Sequence, residues 1–254
     1  MKVLNREELQ VAEGVLLQHL PKSYKMYGFL YGINRNKPTT LEVVVDTWPD
    51  FKVIICRPDP KFAVEFIKTV TCFSTDEQAL RKVLTEENAI DWSTYLVIGG
   101  EDRNCMFYLK LESIVSPLLL YSELESRISS LKPSHVSLVN QTWKFGGNQQ
   151  SYNFIRHLIS NFPSCCIMDE HGQPVSWILV YDYGAMGILY TLPEHRGKGY
   201  AKVLISTMAK KLLAESHPVY CFIEEENSLS YKLFKNLGFI EDPSYRVVWL
   251  ELNF

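Results

Sequence analysis

The sequence predicts an α+β fold built on a mixed β-sheet, in two consecutive halves. Three observations carry that prediction. First, Ile188-Leu189-Tyr190-Thr191-Leu192 is an apolar run of strand character, and Pro193 ends it because proline has no N–H to give a sheet ladder. Second, Arg196-Gly197-Lys198-Gly199 is a tight glycine turn, and directly after it Ala201, Leu204, Ile205, Met208 and Leu212 recur at helical spacing on one face. Third, from Val136 onward the order reads helix, hairpin, strand, turn and helix, strand, helix, strand, and this pattern starts afresh after the break at Pro133. Residues 1–132 are therefore expected to form one domain and residues 133–254 a second.

In the first half, Asn5 is placed to cap a helix from Arg6 to about His19. Glu8 completes a capping box, and Pro21 stops the helix. Leu9, Ala12, Leu16 and Leu20 form its apolar stripe. Met26 to Ile33, Leu41 to Thr47 and Phe51 to Cys56 read as three strands of a meander, joined by Asn34-Arg35-Asn36-Lys37-Pro38 and Trp48-Pro49-Asp50. Arg57-Pro58-Asp59-Pro60 breaks the pattern. Lys61 to Phe73 suits a strand or a helix, Asp76 to Asn88 a helix, and Tyr95 to Ile98 a strand. Asp102 to Leu120 has no readable period, and Ser122 to Leu131 reads as a short helix or connector.

In the second half, Val136 to Trp143 leads to Gly146-Gly147-Asn148, a turn that can cap a helix with Tyr152, Ile155, Leu158 and Ile159 inward. Cys165 to Met168 and Val175 to Tyr181 pair as a hairpin across Asp169-Glu170-His171-Gly172. After the glycine turn come a helix to about Ser216, a strand at Val219 to Ile223, a helix from Asn227 closed by Gly238, and a last strand at Arg246 to Leu252. The first half also has a helix followed by a meander, which suggests a divergent copy of the second.

Bulk numbers exclude some functions. A net charge of −3 gives no basic field, so nucleic acid is not expected as a partner. No apolar run reaches membrane-spanning length, and Ser113 to Tyr121, the nearest, contains Pro117. The N-terminus has no apolar signal core, and Glu7 and Glu8 are untypical of a mitochondrial presequence. The six cysteines lack CxxC spacing and read as reduced thiols, and the six histidines lack HxH or HExxH spacing, so no metal is expected. Cys165-Cys166 lies on a strand whose alternation is expected to bury one and expose the other.

A strand, a glycine turn and a helix N-terminus together make an anion site: N–H groups point outward, the helix dipole adds positive potential, and glycines admit a phosphate to the backbone. Arg196 and Lys198 add formal charge. The spacing is neither GxxxxGK[ST] nor GxGxxG. Arg196, Gly199 and Ala201 instead give Arg-x-x-Gly-x-Ala, which resembles the pyrophosphate loop of the GCN5-related N-acetyltransferase (GNAT) superfamily, the loop that grips coenzyme A. The match extends to Asn227-x(10)-Gly238-Phe239. Further segments resemble the glycine N-acyltransferase family: Val45-Asp46-Thr47-Trp48-Pro49-Asp50-Phe51-Lys52, Asn140-Gln141-Thr142-Trp143 with Gly146-Gly147-Asn148, Phe162-Pro163-Ser164, Gly172-Gln173-Pro174-Val175-Ser176-Trp177, and Thr191-Leu192-Pro193-Glu194-His195-Arg196.

The resemblance implies a GNAT-type mixed sheet in the second half, a divergent GNAT-like one in the first, and acyl-CoA as co-substrate without a metal. Thr191, Leu192, Arg196, Gly197, Lys198, Gly199, Tyr200, Ala201 and Asn227 are the implied CoA contacts. The implied reaction transfers an acyl group from acyl-CoA to the amino group of glycine or another small amine, by direct attack on the thioester. A protein amine as acceptor, and a non-catalytic acyl-CoA-binding protein, are the alternatives. An intracellular monomer, mitochondrial or cytoplasmic, is expected. The family's proposed base, a Glu near the start of the strand before the loop, aligns with Ala185, which cannot take a proton. Asp182, Tyr190, Glu194 and His195 are nearby candidates, with Asp182 acting through a water or serving as an ordinary turn aspartate. Glu224-Glu225-Glu226 either faces the acceptor amine in part or is solvated surface. The tyrosine that commonly protonates the leaving thiolate aligns with Phe234. Tyr231, three residues earlier, takes that role or packs in the core; water is the other proton source.

Overall fold

A computed structural model describes residues 1–62, 69–85, 89–93, 96–109 and 122–252, with 96, 99–105, 122–123, 244 and 248–252 described by backbone alone. The readings at residues 63–68, 86–88, 94–95 and 110–121 therefore lie outside the described residues. Contacts divide the chain into two units, Met1–Arg103 with Tyr245–Phe254, and Asn104–Ser244. The division precedes the Pro133 break because one long strand, β5, carries the chain from the first unit into the second.

The first unit runs β1 (Lys2–Val3), α1 (Arg6–Leu17), α2 (Tyr24–Asn34), β2 (Leu41–Val45), β3 (Val53–Pro58), β4 (Thr69–Ser74), α3 (Glu77–Thr85) and the start of β5 (Leu96–Tyr108). Asn5 and Glu8 form the capping box. β1 to β4 pair antiparallel in order, and β4 then pairs β5 in parallel through three registered pairs. Val44, Val53, Ile55, Val70 and Val83 form its core. One reading is corrected: Met26 to Ile33 is helix α2, not a strand. Met26, Tyr27, Phe29 and Leu30 are all buried, so the segment is apolar on every side, and a short run of that kind carries no period that separates strand from helix.

The second unit continues β5 and adds α4 (Ser122–Glu125), β6 (Ile128–Ser129), α5 (Val136–Thr142), α6 (Gln149–Asn161), β7 (Ser164–Met168), β8 (Pro174–Val180), β9 (Met186–Thr191), α7 (Tyr200–Ala214), β10 (Tyr220–Glu224), α8 (Ser228–Asn236) and the start of β11 (Ile240–Leu252). β6 to β9 pair antiparallel, β10 lies parallel to β9, and β10 pairs antiparallel with Asn104 to Tyr108 of β5. Asn148 caps α6 as expected, its Oδ1 accepting the Ser151 N–H at 2.8 Å. Every residue of β8 is buried because helices cover both faces of the sheet. Val175, Ile178 and Val180 pack with Leu204, Ile205 and Met208 of α7, whereas Trp177 and Leu179 pack with Ile155 and Leu158 of α6. The same two-sided cover corrects the Cys165-Cys166 reading: both are buried, each in a different cluster.

Both units share one element order and one pairing scheme. β1-α1-α2-β2-β3-β4-α3-β5 corresponds to β6-α5-α6-β7-β8-β9-α7-β10, three antiparallel pairings followed by one parallel pairing. The first half thus repeats the architecture of the second, the likeness expected from its helix followed by a meander, although the first segment of that meander is helix α2.

Candidate active site

At the anion loop the backbone does what the glycines allow. Beyond β9, the Leu192 N–H still donates to the Val175 carbonyl at 3.0 Å, and Pro193–His195 forms a single 3-10 turn. Gly197 and Gly199 both sit at φ +77, in the left-handed region that suits glycine, and Gly199 is the N-cap of α7. Gly199 has no side chain to fill the cap, so the Tyr200 and Ala201 N–H groups at the start of α7 remain open to an anion, while the Lys202 N–H donates to the Gly199 carbonyl at 3.1 Å. Thr191, His195 to Lys202 and Leu233 line a groove of about 580 Å³ here. Arg196 is held over its edge: Nε donates to the Thr191 carbonyl at 3.1 Å, and the guanidinium carbon lies 5.5 Å from the Tyr190 ring centre. Tyr200 turns its ring into the core, where Arg127 donates to its hydroxyl at 3.2 Å, so a ligand in the groove meets its backbone. His195 is half-buried, its ring stacked on that of Tyr200 with centres 6.5 Å apart.

The groove adjoins a cleft along β9. Between β8 and β9 the register shifts: Trp177 faces Tyr190 and Leu179 faces Gly187, so β9 carries one extra residue, a β-bulge that leaves that residue outside the ladder. Ile188 sits at φ +50 within it, an outlier for a β-branched side chain. On its other edge β9 registers with β10 at one pair among the described residues, Met186 with Cys221. Beyond that pair the two strands line a cleft of about 350 Å³. Met186 to Tyr190 form one wall, Cys221 to Glu224 the other, and Trp143, Lys144 and Phe145 of the α5–α6 connection, Trp177 of β8, and Asn227, Ser230 and Phe234 at α8 complete it.

Among the implied CoA contacts, Thr191, Arg196, Gly197, Lys198, Gly199, Tyr200 and Ala201 line the groove and Asn227 lines the cleft. Asn227 caps α8 through Oδ1, which accepts the Ser230 N–H at 3.1 Å. The Leu192 side chain packs against the core clusters, and its expected CoA contact is through the backbone. Asp182 is half-buried in the β8–β9 turn and is not part of the cleft lining, and Ala185 is 1% exposed. The Tyr231 hydroxyl donates to Glu241 at 2.6 Å, and the ring meets Phe107 edge-on, while Phe234 lines the cleft. Cys221 also lines it, but burial pushes its thiol well above the ordinary value, so it supplies no thiolate nucleophile. Among the described residues no cluster of His, Cys, Asp and Glu could hold a metal ion, and no helix is long and apolar enough to cross a membrane.

Sequence reasoning missed the Trp143-Lys144-Phe145 wall. Its signal was the following glycine pair. A Cβ on Gly146 would lie 1.9 Å from the Asn140 carbonyl oxygen, and the Gly147 N–H donates to Asn140 Oδ1 at 3.3 Å. Asn140 and Gly146 thus close the loop that presents Lys144. Gly146→Ala is expected to lower stability by about 1–3 kcal/mol, the usual range for forced overpacking, measured by denaturant unfolding. The other family segments separate by role. In Val45 to Lys52, Asp46 Oδ1 accepts the N–H groups of Lys52 and Val53, both at 3.0 Å, and Trp48 stacks on Phe51: a turn within the first unit. In Pro174 to Trp177, Ser176 Oγ bonds Thr191 Oγ1 of the groove at 2.7 Å, and the buried Trp177 stacks on Tyr190 in the cleft lining.

The corresponding junction of the first unit, from β4 to α3, has no glycine. Asp76 Oδ1 accepts the Gln78 and Ala79 N–H groups at 2.9 and 3.0 Å, so a carboxylate of the chain already fills that helix N-terminus. Those backbone bonds, led by Ala79, and the Lys52 ammonium hold the Asp76 carboxyl below its ordinary value. β4 and β5 also keep three registered pairs where β9 and β10 keep one. Among the described residues, only the second copy combines an open helix N-terminus with parted strands.

Residues 1–116 and 112–163 match the family described as aralkyl acyl-CoA:amino acid N-acyltransferase, and residues 166–249 match the FR47-like family. The chain is 30% identical to the glycine N-acyltransferases of Bos taurus and Homo sapiens, over 93% and 92% of its length and 94% and 93% of theirs. It is 28% identical to the mouse glycine N-acyltransferase-like protein Keg1, over 93% of this chain and 94% of that one. Among solved structures, a Drosophila protein aligns with a TM-score of 0.77 over 99% of this chain and 98% of that one at 17% identity. A tandem GNAT protein from the clavulanic acid biosynthesis pathway aligns with a TM-score of 0.55 over 98% and 96% at 13% identity, so these likenesses concern the fold. The tandem fold, the glycine loop of its second copy and the match over nearly the whole length agree: this chain belongs to the aralkyl acyl-CoA:amino acid N-acyltransferase family, within the GNAT superfamily.

Proposed function

We propose that this acyltransferase moves an acyl group from acyl-CoA to the amino group of glycine or another small amino acid, without a covalent enzyme intermediate and without a metal. The observation that carries the reading is the junction along β9, where an anion groove at Thr191 to Lys202 adjoins a cleft opened by the bulge at Ile188. A diphosphate in the groove would meet the N–H groups of α7's first turn, Arg196 and Lys198, and would lead the thioester arm along β9 toward the cleft. A bulged strand turns backbone groups out of the ladder, where they can meet the thioester oxygen as it gains negative charge. Holding amine and thioester together supplies much of the barrier reduction. The buried cysteines support the absence of an acyl-enzyme: burial pushes Cys165 up and Cys166 up to about 12. An intracellular location, mitochondrial or cytoplasmic, and a monomeric state belong to the proposal; the five free cysteines among the described residues support the first of these.

Ala185 and Phe234 motivate a second reading, an acyl-CoA-binding protein without turnover. A thiol-release screen of acyl-CoAs against small amino acids separates the two. The first reading predicts free thiol only when both substrates are present. Saturable acyl-CoA binding with no release across the panel would replace it with the second.

A further inference from the structure

Ala185 leaves the reaction without the expected proton acceptor, yet a carboxylate does line the cleft. Glu224 ends β10, facing the bulged strand across the opening, and both its oxygens are held by the Lys144 ammonium at 2.7 and 2.8 Å. Lys144 comes from a separate element, the loop that Gly146 and Asn140 close, so the pair joins two walls of the same cleft. The side chains are 67% and 41% exposed, which leaves the pair open to exchange with an incoming solute. We propose that this ion pair is the acceptor site: Glu224 takes the ammonium of a zwitterionic α-amino acid and accepts its proton, while Lys144 takes the carboxylate. The inference rests on the acyltransferase reading and assigns the base and the acceptor's charge.

The chemistry favours a zwitterion. An amino acid entering between a cation and an anion replaces one ion pair by two, so neither charge is left unpaired. A simple amine can satisfy only Glu224. In the reaction the nitrogen's lone pair forms the new C–N bond and the C–S bond breaks with its electrons on sulfur. Of the two protons the ammonium nitrogen gives up through Glu224, one ends on the sulfur and one in solvent, giving amide, thiol and one released proton. Other groups near Glu224 are Tyr181, whose hydroxyl is raised by burial first and then by Asp182 and Glu224, and the neighbouring Glu225 and Glu226. Tyr181 is stacked between Phe154 and Tyr183 and is not a cleft residue.

Glu224→Gln keeps shape and removes the acceptor lone-pair charge. The expected result is a kcat at least about 100-fold lower with both glycine and glycinamide, the size of a lost general base, with acyl-CoA affinity unchanged. Glu224→Ala should regain activity when formate is added. Lys144→Met should raise the KM for glycine about tenfold or more, as for a lost charge-assisted bond, and leave the KM for glycinamide within about threefold. Wild-type rates retained in Glu224→Gln, or equal KM changes for both acceptors in Lys144→Met, overturn the assignment while leaving the acyltransferase reading in place. Absence of thiol release by the wild-type protein with every acceptor would remove the reading itself, and the assignment with it.

Discussion

Gly199→Glu is expected to abolish acyl-CoA binding, with affinity falling at least about 100-fold, or ~2.8 kcal/mol. Three effects act in one direction. Gly199 sits at φ +77 as the N-cap of α7, and a residue with a Cβ in that conformation costs roughly 1–2 kcal/mol. The new carboxylate lies at the helix N-terminus, where it competes for the same N–H groups as a phosphate. It also offsets Arg196 and Lys198, which supply the formal charge of the groove. Gly199→Ala introduces only the first effect and is expected to lose about tenfold or less. Calorimetric titration with acyl-CoA measures both. Equal affinity of Gly199→Glu and wild type would remove the loop from the site.

Trp177→Ala is the second large effect, and it acts on stability. Trp177 is fully buried at the base of the cleft, packed with Ile155, Leu158 and Leu179 and stacked on Tyr190 with ring centres 5.5 Å apart. Truncation removes an indole from a close-packed region that can collapse only in part, at a cost of about 3–5 kcal/mol. For a chain of this size that corresponds to a fall in Tm of roughly 6–20 °C by thermal denaturation. Trp177→Phe keeps an aromatic ring against Tyr190 and should lose less than half as much. A Tm within about 2 °C of wild type for Trp177→Ala would show that the cleft base is not part of the core.

Most of the second unit was legible because its signals are local. Proline ends strands, glycine closes turns, and α6 and α7 show a single apolar face. The first unit was less legible where packing overrides pattern. α2 is buried on all sides, so Met26 to Ile33 offers no polar face to set a period. The long reach of β5 from Leu96 to Tyr108 was hidden because Gly99, Gly100 and the charged run after them lack strand character, yet the backbone pairs with β4 and then β10. At the candidate site the strand, the glycine turn and the start of α7 were legible from local pattern, and the assignment of the loop residues to coenzyme A came from the family resemblance. The cleft was not legible, since a bulge at Ile188 and a parted β9–β10 edge arise from pairing between segments distant in sequence. The partner of the Tyr231 hydroxyl, Glu241, lies on β11, and no helix periodicity could nominate it. Lys144 and Glu224 are eighty residues apart, and only the fold brings them to 2.7 Å.

The most direct test is to supply an acyl-CoA and 15N-glycine to the protein and to measure thiol release and N-acylglycine together, the second by mass spectrometry. Acyl transfer to the amine predicts one labelled amide formed for each thiol released, with both lost in Gly199→Glu. Thiol released without labelled amide would show hydrolysis in place of transfer and would contradict the account.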